Sequence, residues 1–402
     1  MSLSLWVTVL AAFGVLGFLN TAQADENVVE LDLVGSVGAL AQAGDPVVQV
    51  DAGERHACAL YQSGKVYCWG NGAFGQLGTD LLFSSLPVMV EDLDDIVQIS
   101  MGAYHSCALQ NGGRVFCWGA NTSGELGDGS LEHSHYRVRV KAGPKAVQVT
   151  AGHKHTCLIM SNGRAFCWGS NFAGRLGHGN TDQVFFPTPQ RVAGGRRFVD
   201  ISAGFLTTCG VTRNGRAYCW GRSSAGSLGN GDFAGNVYSP DLVRFLKRVE
   251  QVSVGGYHSC ALRDDGVAYC WGTNQLNQLG DGTDDEYQID PTRVKRLFDV
   301  TDIDAGFRHT CALRENGSAM CWGDNRYGQI GDGTTTQRAT RERVKRLKNV
   351  TSLSAGDRFT CASRADGNVF CWGANNHSQL GKGDSNLVAN PIRTRVELPA
   401  SP

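Results

Sequence analysis

Short apolar segments separated by glycines recur along the chain about every 50 residues. In the first unit, β-branched residues 47–52 precede an apolar segment at 56–60, and a second apolar segment closes on Cys68, Trp69 and Gly70. Short segments of this kind, bounded by turn residues, predict β-strands. The first cysteines of successive units are 49 to 52 residues apart. This constant spacing predicts an array of seven equivalent repeats.

A three-residue turn with glycine in third place predicts the hairpin of each unit, as at Gly64. This is the signature of a type I turn followed by a glycine bulge. Counting outward from the turn places Cys58 opposite Cys68, in a non-hydrogen-bonded pair about 4.5 Å apart, which a disulfide tolerates. The predicted disulfides are Cys58–Cys68, Cys107–Cys117, Cys157–Cys167, Cys209–Cys219, Cys260–Cys270, Cys311–Cys321 and Cys361–Cys371. Zinc is the alternative use of paired cysteines, but its sites usually have two to four intervening residues.

Neither face of the predicted hairpin is polar. Cys58 and Leu60 lie on one face, whereas Ala59 and Trp69 lie on the other. A sandwich sheet usually has one solvated face, but a propeller blade packs between two neighbours. The predicted fold class is therefore all-β, a seven-bladed β-propeller with one disulfide-stapled hairpin per blade. Residues 47–52 and 393–397 are the segments expected to close the ring, by packing or strand pairing.

The segments GAYHSCAL (102–109), GRVFCWGAN (113–121) and GELG (124–127) resemble the regulator of chromosome condensation repeat. The resemblance covers residues 46–398 and implies a seven-bladed propeller. The resemblance does not imply a single function, because this fold serves exchange factors for a small GTPase, a plant ultraviolet-B photoreceptor and a secreted bacterial inhibitor of β-lactamase. In the photoreceptor a sensing tryptophan is expected directly after the first glycine of a unit. This chain has Phe307 there, so light sensing is not expected.

The N-terminus has the pattern of an export signal. An apolar run at 5–19 is followed by an Ala-x-Ala motif before Asp25, which predicts a signal peptide over residues 1–24. No lysine or arginine precedes the run; a retained anchor is the alternative, although spanning a bilayer needs about 20 apolar residues. The remaining divisions are a linker at 25–45, the propeller at 46–398 and a tail at 399–402. Fourteen cysteines in seven pairs also indicate an oxidising compartment, secreted or otherwise extracytoplasmic.

Composition and motifs exclude several functions. A net charge of -1 gives no large basic field, so nucleic-acid binding is not expected. We find no nucleophile motif, phosphate-binding glycine loop or HExxH helix, so the sequence predicts neither an enzyme nor a cofactor. Histidines three residues after the first glycine of a unit are predicted to make structural hydrogen bonds; a metal ring is the alternative. They are His56, His105, His155, His258 and His309. Turn formation is predicted, in preference to calcium binding, for Asp128, Asp281 and Asp332.

The two residues after the first glycine of each unit are the candidate binding positions. These loops cluster at one end of a propeller, and here they are rich in aromatic residues and arginine, which are enriched at interface hot spots. The predicted partner-binding residues are Arg55, Tyr104, Lys154, Phe205, Tyr257, Phe307, Arg308 and Arg358. The alternative is loop variation without any partner, and the basic segment 341–346 is the next candidate surface.

The sequence therefore predicts a secreted interaction module that binds a protein through one propeller face, with a glycan as the weaker alternative. Guanine-nucleotide exchange for a small GTPase is a second hypothesis, carried by the resemblance alone. A glycan-active enzyme is the third.

Overall fold

A computed structural model describes residues 44–399 of the chain, except for residues 144, 181 and 234. The predicted signal peptide and most of the predicted linker lie outside these residues. The described chain forms seven four-stranded antiparallel sheets, in each of which the strands pair in chain order. The predicted seven-bladed β-propeller is confirmed. Within the described ranges, no helix has the length and apolar character needed to cross a bilayer.

Each blade is one continuous segment of chain, and its first strand lies innermost. The first strands are Val47–Ala52, Ile96–Met101, Ala146–Ala151, Phe198–Ala203, Val249–Val254, Val300–Ala305 and Val350–Ala355. The second strands are His56–Tyr61, His105–Gln110, His155–Met160, Thr207–Thr212, His258–Arg263, His309–Arg314 and Phe359–Arg364. The third strands are Val66–Asn71, Val115–Gly119, Ala165–Ser170, Ala217–Arg222, Ala268–Thr273, Ala319–Gly323 and Val369–Asn375. The fourth strands are Phe83–Met89, Ser134–Arg139, Phe185–Arg191, Asn236–Leu242, Tyr287–Arg293, Arg338–Arg343 and Asn386–Arg395. Two short 3-10 helices, Phe172–Gly174 and Ala193–Gly195, lie in loops.

The central hairpin of each blade has the predicted register. Cys58 lies opposite Cys68, and the equivalent cysteines face each other in every blade. All seven disulfides are formed within blades, with Cα atoms 4.0 to 4.1 Å apart. The disulfide prediction is confirmed, because a local hairpin places both partners without help from the rest of the fold.

Both faces of each hairpin are buried against neighbouring blades. Leu60 packs in one cluster with Ile99 of blade 2, whereas Trp69 packs in another with Phe359 of blade 7. The tryptophan at this position is fully buried in all seven blades. Its indole N–H donates to a main-chain carbonyl of the preceding blade, as from Trp118 to Gln76 at 3.0 Å. The apolar core therefore lies between the blades.

Polar side chains on the innermost strands link each blade to the next. Asp51 accepts a hydrogen bond from the Met101 N–H at 2.9 Å, and Ser100 accepts one from the Ala151 N–H at 3.0 Å. The same position makes the same bond at all seven blade junctions. At the last junction Ser354 accepts from the Ala52 N–H at 3.1 Å, so this circle of hydrogen bonds includes the closure.

Among the described residues, no strand of blade 7 pairs with a strand of blade 1, so packing is the one of the two alternatives that is found at the closure. The fourth strand of blade 7 ends at Arg395 and pairs with the third strand of its own blade. Just beyond it, Val396 and Leu398 pack in the cluster that contains Val47 and Val50 of blade 1. The C-terminal segment thus contributes apolar side chains to the closure, while main-chain pairing stays within the blade.

Candidate functional site

The loops between the first and second strands of all seven blades converge at one end of the propeller. They are joined by main-chain hydrogen bonds from one blade to the next, such as Ala103 N–H to the Gly152 carbonyl at 3.2 Å. Similar bonds run from His153, Phe205, Gly256, Phe307 and Asp357 to the glycine of the following blade. The loops surround a small cavity of about 110 Å³. We call this end of the molecule the loop face.

Three aromatic rings on the loop face contact one another and form what we call the aromatic triangle. The ring centroids of Phe205 and Tyr257 are 5.5 Å apart, and each lies 5.4 Å from that of Phe307. All three side chains are half-buried. The buried Arg175 guanidinium donates to the Phe205 carbonyl at 3.0 Å. This hydrogen bond from a buried side chain fixes the position of the loop that carries Phe205.

Gly256 makes the aromatic triangle possible, because Phe307 packs directly against this residue. Gly256 is in blade 5, between the blades that carry Phe205 and Phe307. A Cβ added at Gly256 would come within 2.4 Å of the Phe307 carbonyl oxygen and 2.8 Å of its ring. Any larger residue would displace Phe307. From the sequence alone, Gly256 is a loop position without a side chain. In the structure, Phe307 occupies the space that a side chain at position 256 would need.

The aromatic surface continues into blades 1 to 3. The His153 ring lies 4.4 Å from Phe205 and 6.0 Å from Tyr104, which in turn lies 5.5 Å from Phe74. Sequence reasoning missed Phe74, because it belongs to the loop after the third strand and not to the loops chosen as candidates. It also set aside His153, although this residue occupies one of the two variable positions.

The other side of the loop face is charged. Glu54 pairs with Arg55 at 3.3 Å and accepts a hydrogen bond from the Tyr104 hydroxyl at 2.6 Å. Asp357 pairs with Arg358 at 3.2 Å. Burial raises the pKa of the Asp357 carboxyl to about 6, although Arg358 acts in the opposite direction. Burial and the bond to Glu54 raise the pKa of Tyr104 to about 12, so its hydroxyl stays protonated and donates.

Arg308 lies between these two regions. Its guanidinium carbon is 5.6 Å from the centre of the Phe307 ring, at the edge of the aromatic triangle. In the described part of the chain, Arg308 forms no ion pair within 4.0 Å, in contrast to Arg55 and Arg358. A cation without a paired carboxylate beside an apolar surface is a natural contact for an acidic group of a ligand.

The structure brings the eight predicted residues onto one face but changes their description. Seven of them are half-buried and Arg358 is exposed. Tyr104, Phe205, Tyr257 and Phe307 pack on neighbouring rings, so these predicted binding residues also have a packing role. Lys154 makes no ion pair or ring contact with any described residue.

The five repeated histidines each bond to the next blade. Their Nε2 atoms lie 2.8 to 2.9 Å from a serine or threonine hydroxyl, as for His309 and Thr360. That hydroxyl donates to a carbonyl, in this case of Gln329 at 2.8 Å, so it must accept from Nε2–H. The Nδ1 atoms have no hydrogen-bond partner among the described residues, and burial lowers the pKa of His56, His105 and His258 to about 3. The histidines are therefore neutral and have the structural role predicted for them.

The aspartates of the Leu-Gly-Asp-Gly turns bond within their own turns. Asp128 accepts from the Ser130 N–H at 2.9 Å, and Asp332 accepts from the Thr334 N–H at 2.9 Å. Asp281 accepts from the Thr283 N–H at 3.1 Å. This is the turn role that the sequence favours. No group of three or more potential ligands within the described ranges could hold a metal ion.

Comparison with known proteins gives consistent matches. The model of the RCC1-like domain matches residues 4–260, and models of the regulator of chromosome condensation (RCC1) repeat match segments from 249 to 401. The chain is 32% identical to the ultraviolet-B receptor UVR8 of Arabidopsis thaliana over 73% of its length and 69% of the receptor. It is also 32% identical to the human E3 ubiquitin-protein ligase HERC2, but covers only 5% of that protein.

Solved structures show the same fold at lower identity. Yeast RCC1 (Prp20) bound to Kap60 has a TM-score of 0.75 and 21% identity, over 88% of this chain and 84% of that one. The ectodomain of the Physcomitrella patens receptor kinase CR4 has a TM-score of 0.52 and 20% identity, over 83% and 74% of the two chains.

Proposed function

We propose that this chain, which belongs to the regulator of chromosome condensation (RCC1) repeat family, is a secreted, non-enzymatic module that binds a protein through its loop face. The aromatic triangle beside Arg308 is the observation that carries the proposal. Half-buried rings on a rigid support bind at low entropic cost, and Tyr and Arg are enriched at hot spots.

The chemistry of the loop face favours a particular kind of partner segment. Phe205, Tyr257 and Phe307 offer an apolar surface, and Arg308 next to it lacks a paired carboxylate. We expect a partner segment with an apolar side chain, which would pack on the three rings, followed by an acidic residue, which would pair with Arg308. Glu54 and Asp357 already have arginine neighbours, so they are less available for a basic group.

The size of the central cavity supports surface recognition. Its volume of about 110 Å³ is well below the roughly 300 to 1,000 Å³ of typical small-molecule sites. A substrate could not be enclosed there, so contacts would be made across the rim of loops. A protein of similar fold, yeast RCC1 (Prp20), has been solved bound to another protein, Kap60.

The seven disulfides indicate an oxidising environment, because such bonds are rare in reducing compartments. Together with the signal sequence expected at residues 1–24, this supports export. An extracellular protein partner fits that location, whereas a cytosolic small GTPase does not.

The experiment is partner capture from the extracellular fraction with mature protein, followed by mass spectrometry and affinity measurement. The variant that combines Tyr104→Ala, Tyr257→Ala and Arg308→Ala should lose at least thirtyfold in affinity, since a hot-spot truncation costs about 2 kcal/mol or more. The control is Phe245→Ala, which removes an 85% exposed phenylalanine at the opposite end of the propeller.

A folded triple variant that keeps its partner at unchanged affinity would contradict the proposal. So would equal losses in the triple variant and the Phe245→Ala control. Capture of glycans in place of proteins would show that the loop face binds sugar, and nucleotide release from a GTPase would favour the exchange hypothesis.

A further inference from the structure

A second cavity lies at the opposite end of the propeller, between the hairpin turn of blade 3 and the start of blade 4. It is open to solvent and has a volume of about 710 Å³. The side chains that define its chemistry are Arg196, Arg197, Arg213, Asn162, Val199 and Tyr218. Three arginines and no carboxylate line this cavity, although the whole chain has a net charge of only -1.

Blade 5 shows one way in which the same two positions are neutralised. There, Arg248 directly precedes the first strand, and Asp264 begins the hairpin turn two residues before Gly266. The two side chains form an ion pair at 2.7 Å. In blade 4 the equivalent residues are Arg197, directly before Phe198–Ala203, and Arg213, two residues before Gly215. Blade 4 thus has an arginine where blade 5 has the aspartate that pairs with Arg248.

The three arginines are only partly satisfied by the protein. Arg197 donates to the Asn162 carbonyl at 2.9 Å, and the Arg196 guanidinium carbon lies 4.3 Å from the centre of the Tyr218 ring. None of the three forms an ion pair with a described residue. Like charges around one cavity repel each other, and a bound anion would remove this repulsion.

We propose that this cavity binds an organic phosphate or sulfate ester. The oxyanion would lie among Arg196, Arg197 and Arg213, because guanidinium groups bind tetrahedral oxyanions through pairs of parallel hydrogen bonds. The organic part would contact Tyr218 and the 52% exposed Val199. A volume of about 710 Å³ is within the range of small-molecule sites, roughly 300 to 1,000 Å³.

The test measures binding of glucose 6-phosphate and glucose 6-sulfate to the mature protein by calorimetry, with glucose as the uncharged probe. At least one ester should bind, more weakly at higher salt, and the tighter of the two identifies the ester. Arg213→Asp copies the pair of blade 5 and should weaken binding at least tenfold while preserving the fold. Arg196→Ser gives the same test without a new charge. The matched control is Arg248→Ser, which should leave binding unchanged.

Several results would overturn the inference. They are failure of both esters to bind, equal binding of glucose, or an affinity that is unchanged in both Arg213→Asp and Arg196→Ser. An equal loss in Arg248→Ser would assign the binding to general surface charge. Since the cavity and the loop face are at opposite ends, none of these results bears on the protein-binding proposal.

Discussion

The junction between blades 7 and 1 differs from the five junctions that contain a histidine in a way that can be tested by exchange. At the junction between blades 6 and 7, buried His309 donates to Thr360. At the closure the two equivalent residues are Phe359 and Ala57, and both are fully buried in one apolar cluster. The two rings occupy equivalent positions in their blades. A Cβ added at Gly306 would lie 2.6 Å from the His309 ring, and a Cβ added at Gly356 would lie 2.7 Å from the Phe359 ring. The two pairs should therefore be interchangeable, but only as pairs.

The expected energies follow from the hydrogen bonds. Thr360→Ala leaves the buried His309 N–H without an acceptor, which costs about 1 to 3 kcal/mol of unfolding free energy. His309→Phe removes one hydrogen bond, but the Thr360 hydroxyl keeps its bond to Gln329. The double variant has no unsatisfied group and should lie within about 1 kcal/mol of wild type. A favourable coupling of about 1 to 3 kcal/mol between the two substitutions is expected.

The assay is equilibrium unfolding in guanidinium with the disulfides intact, followed by tryptophan fluorescence and circular dichroism to check that the transitions coincide. Thr360→Ser, which retains the hydroxyl, serves as the control and should cost less than Thr360→Ala. If the single substitutions add within about 0.5 kcal/mol in the double variant, the hydrogen-bond account of these histidines is refuted.

Three further outcomes are expected. Gly256→Ala should displace Phe307 through a clash with its main-chain carbonyl, so partner binding should weaken at least tenfold and the melting temperature should fall as well; calorimetry and a thermal scan measure the two effects, and unchanged binding would contradict the role of the aromatic triangle. Acid should destabilise the propeller: the five buried histidines have a lowered pKa, so their contribution is present above the unfolded value of about 6.5 and is lost as pH falls. Between pH 7.5 and 5.5 the unfolding free energy should drop by about 1.4 kcal/mol per buried histidine, partly offset by Asp51, Asp302 and Asp357, whose pKa burial raises to about 6; a rise in stability would contradict this. Truncation before Arg393 removes Val396 from the closure and should lower the melting temperature although all disulfides survive on a non-reduced mass map; an unchanged melting temperature would show that this segment is dispensable.

Features set by local sequence were predictable. The glycine of each hairpin turn fixes the register, and the register alone brings Cys58 to Cys68. Apolar residues on both faces of one hairpin were sufficient to distinguish a blade from a sandwich sheet. Loop connectivity likewise placed Tyr104 and Tyr257 at the same end of the molecule.

Features that depend on neighbouring blades were not predictable from one unit. The acceptor of His309 lies 51 residues away in the next blade, so the sequence indicated a hydrogen bond but not its partner. Phe74 joins the loop face from a different loop, and Gly256 matters only because Phe307 lies over it. The cluster of Arg196, Arg197 and Arg213 combines a strand start with a hairpin turn, which are far apart in the repeat.

Site-specific photocrosslinking tests the binding role of the loop face most directly. A photoreactive phenylalanine analogue would replace Tyr257 in the aromatic triangle or, as the control, Phe245 at the opposite end, and each protein would be irradiated in the extracellular fraction. We expect a discrete protein adduct from position 257 and none from position 245. Adducts from position 245 alone, or none from either position, would contradict the assignment of the loop face as the protein-binding surface.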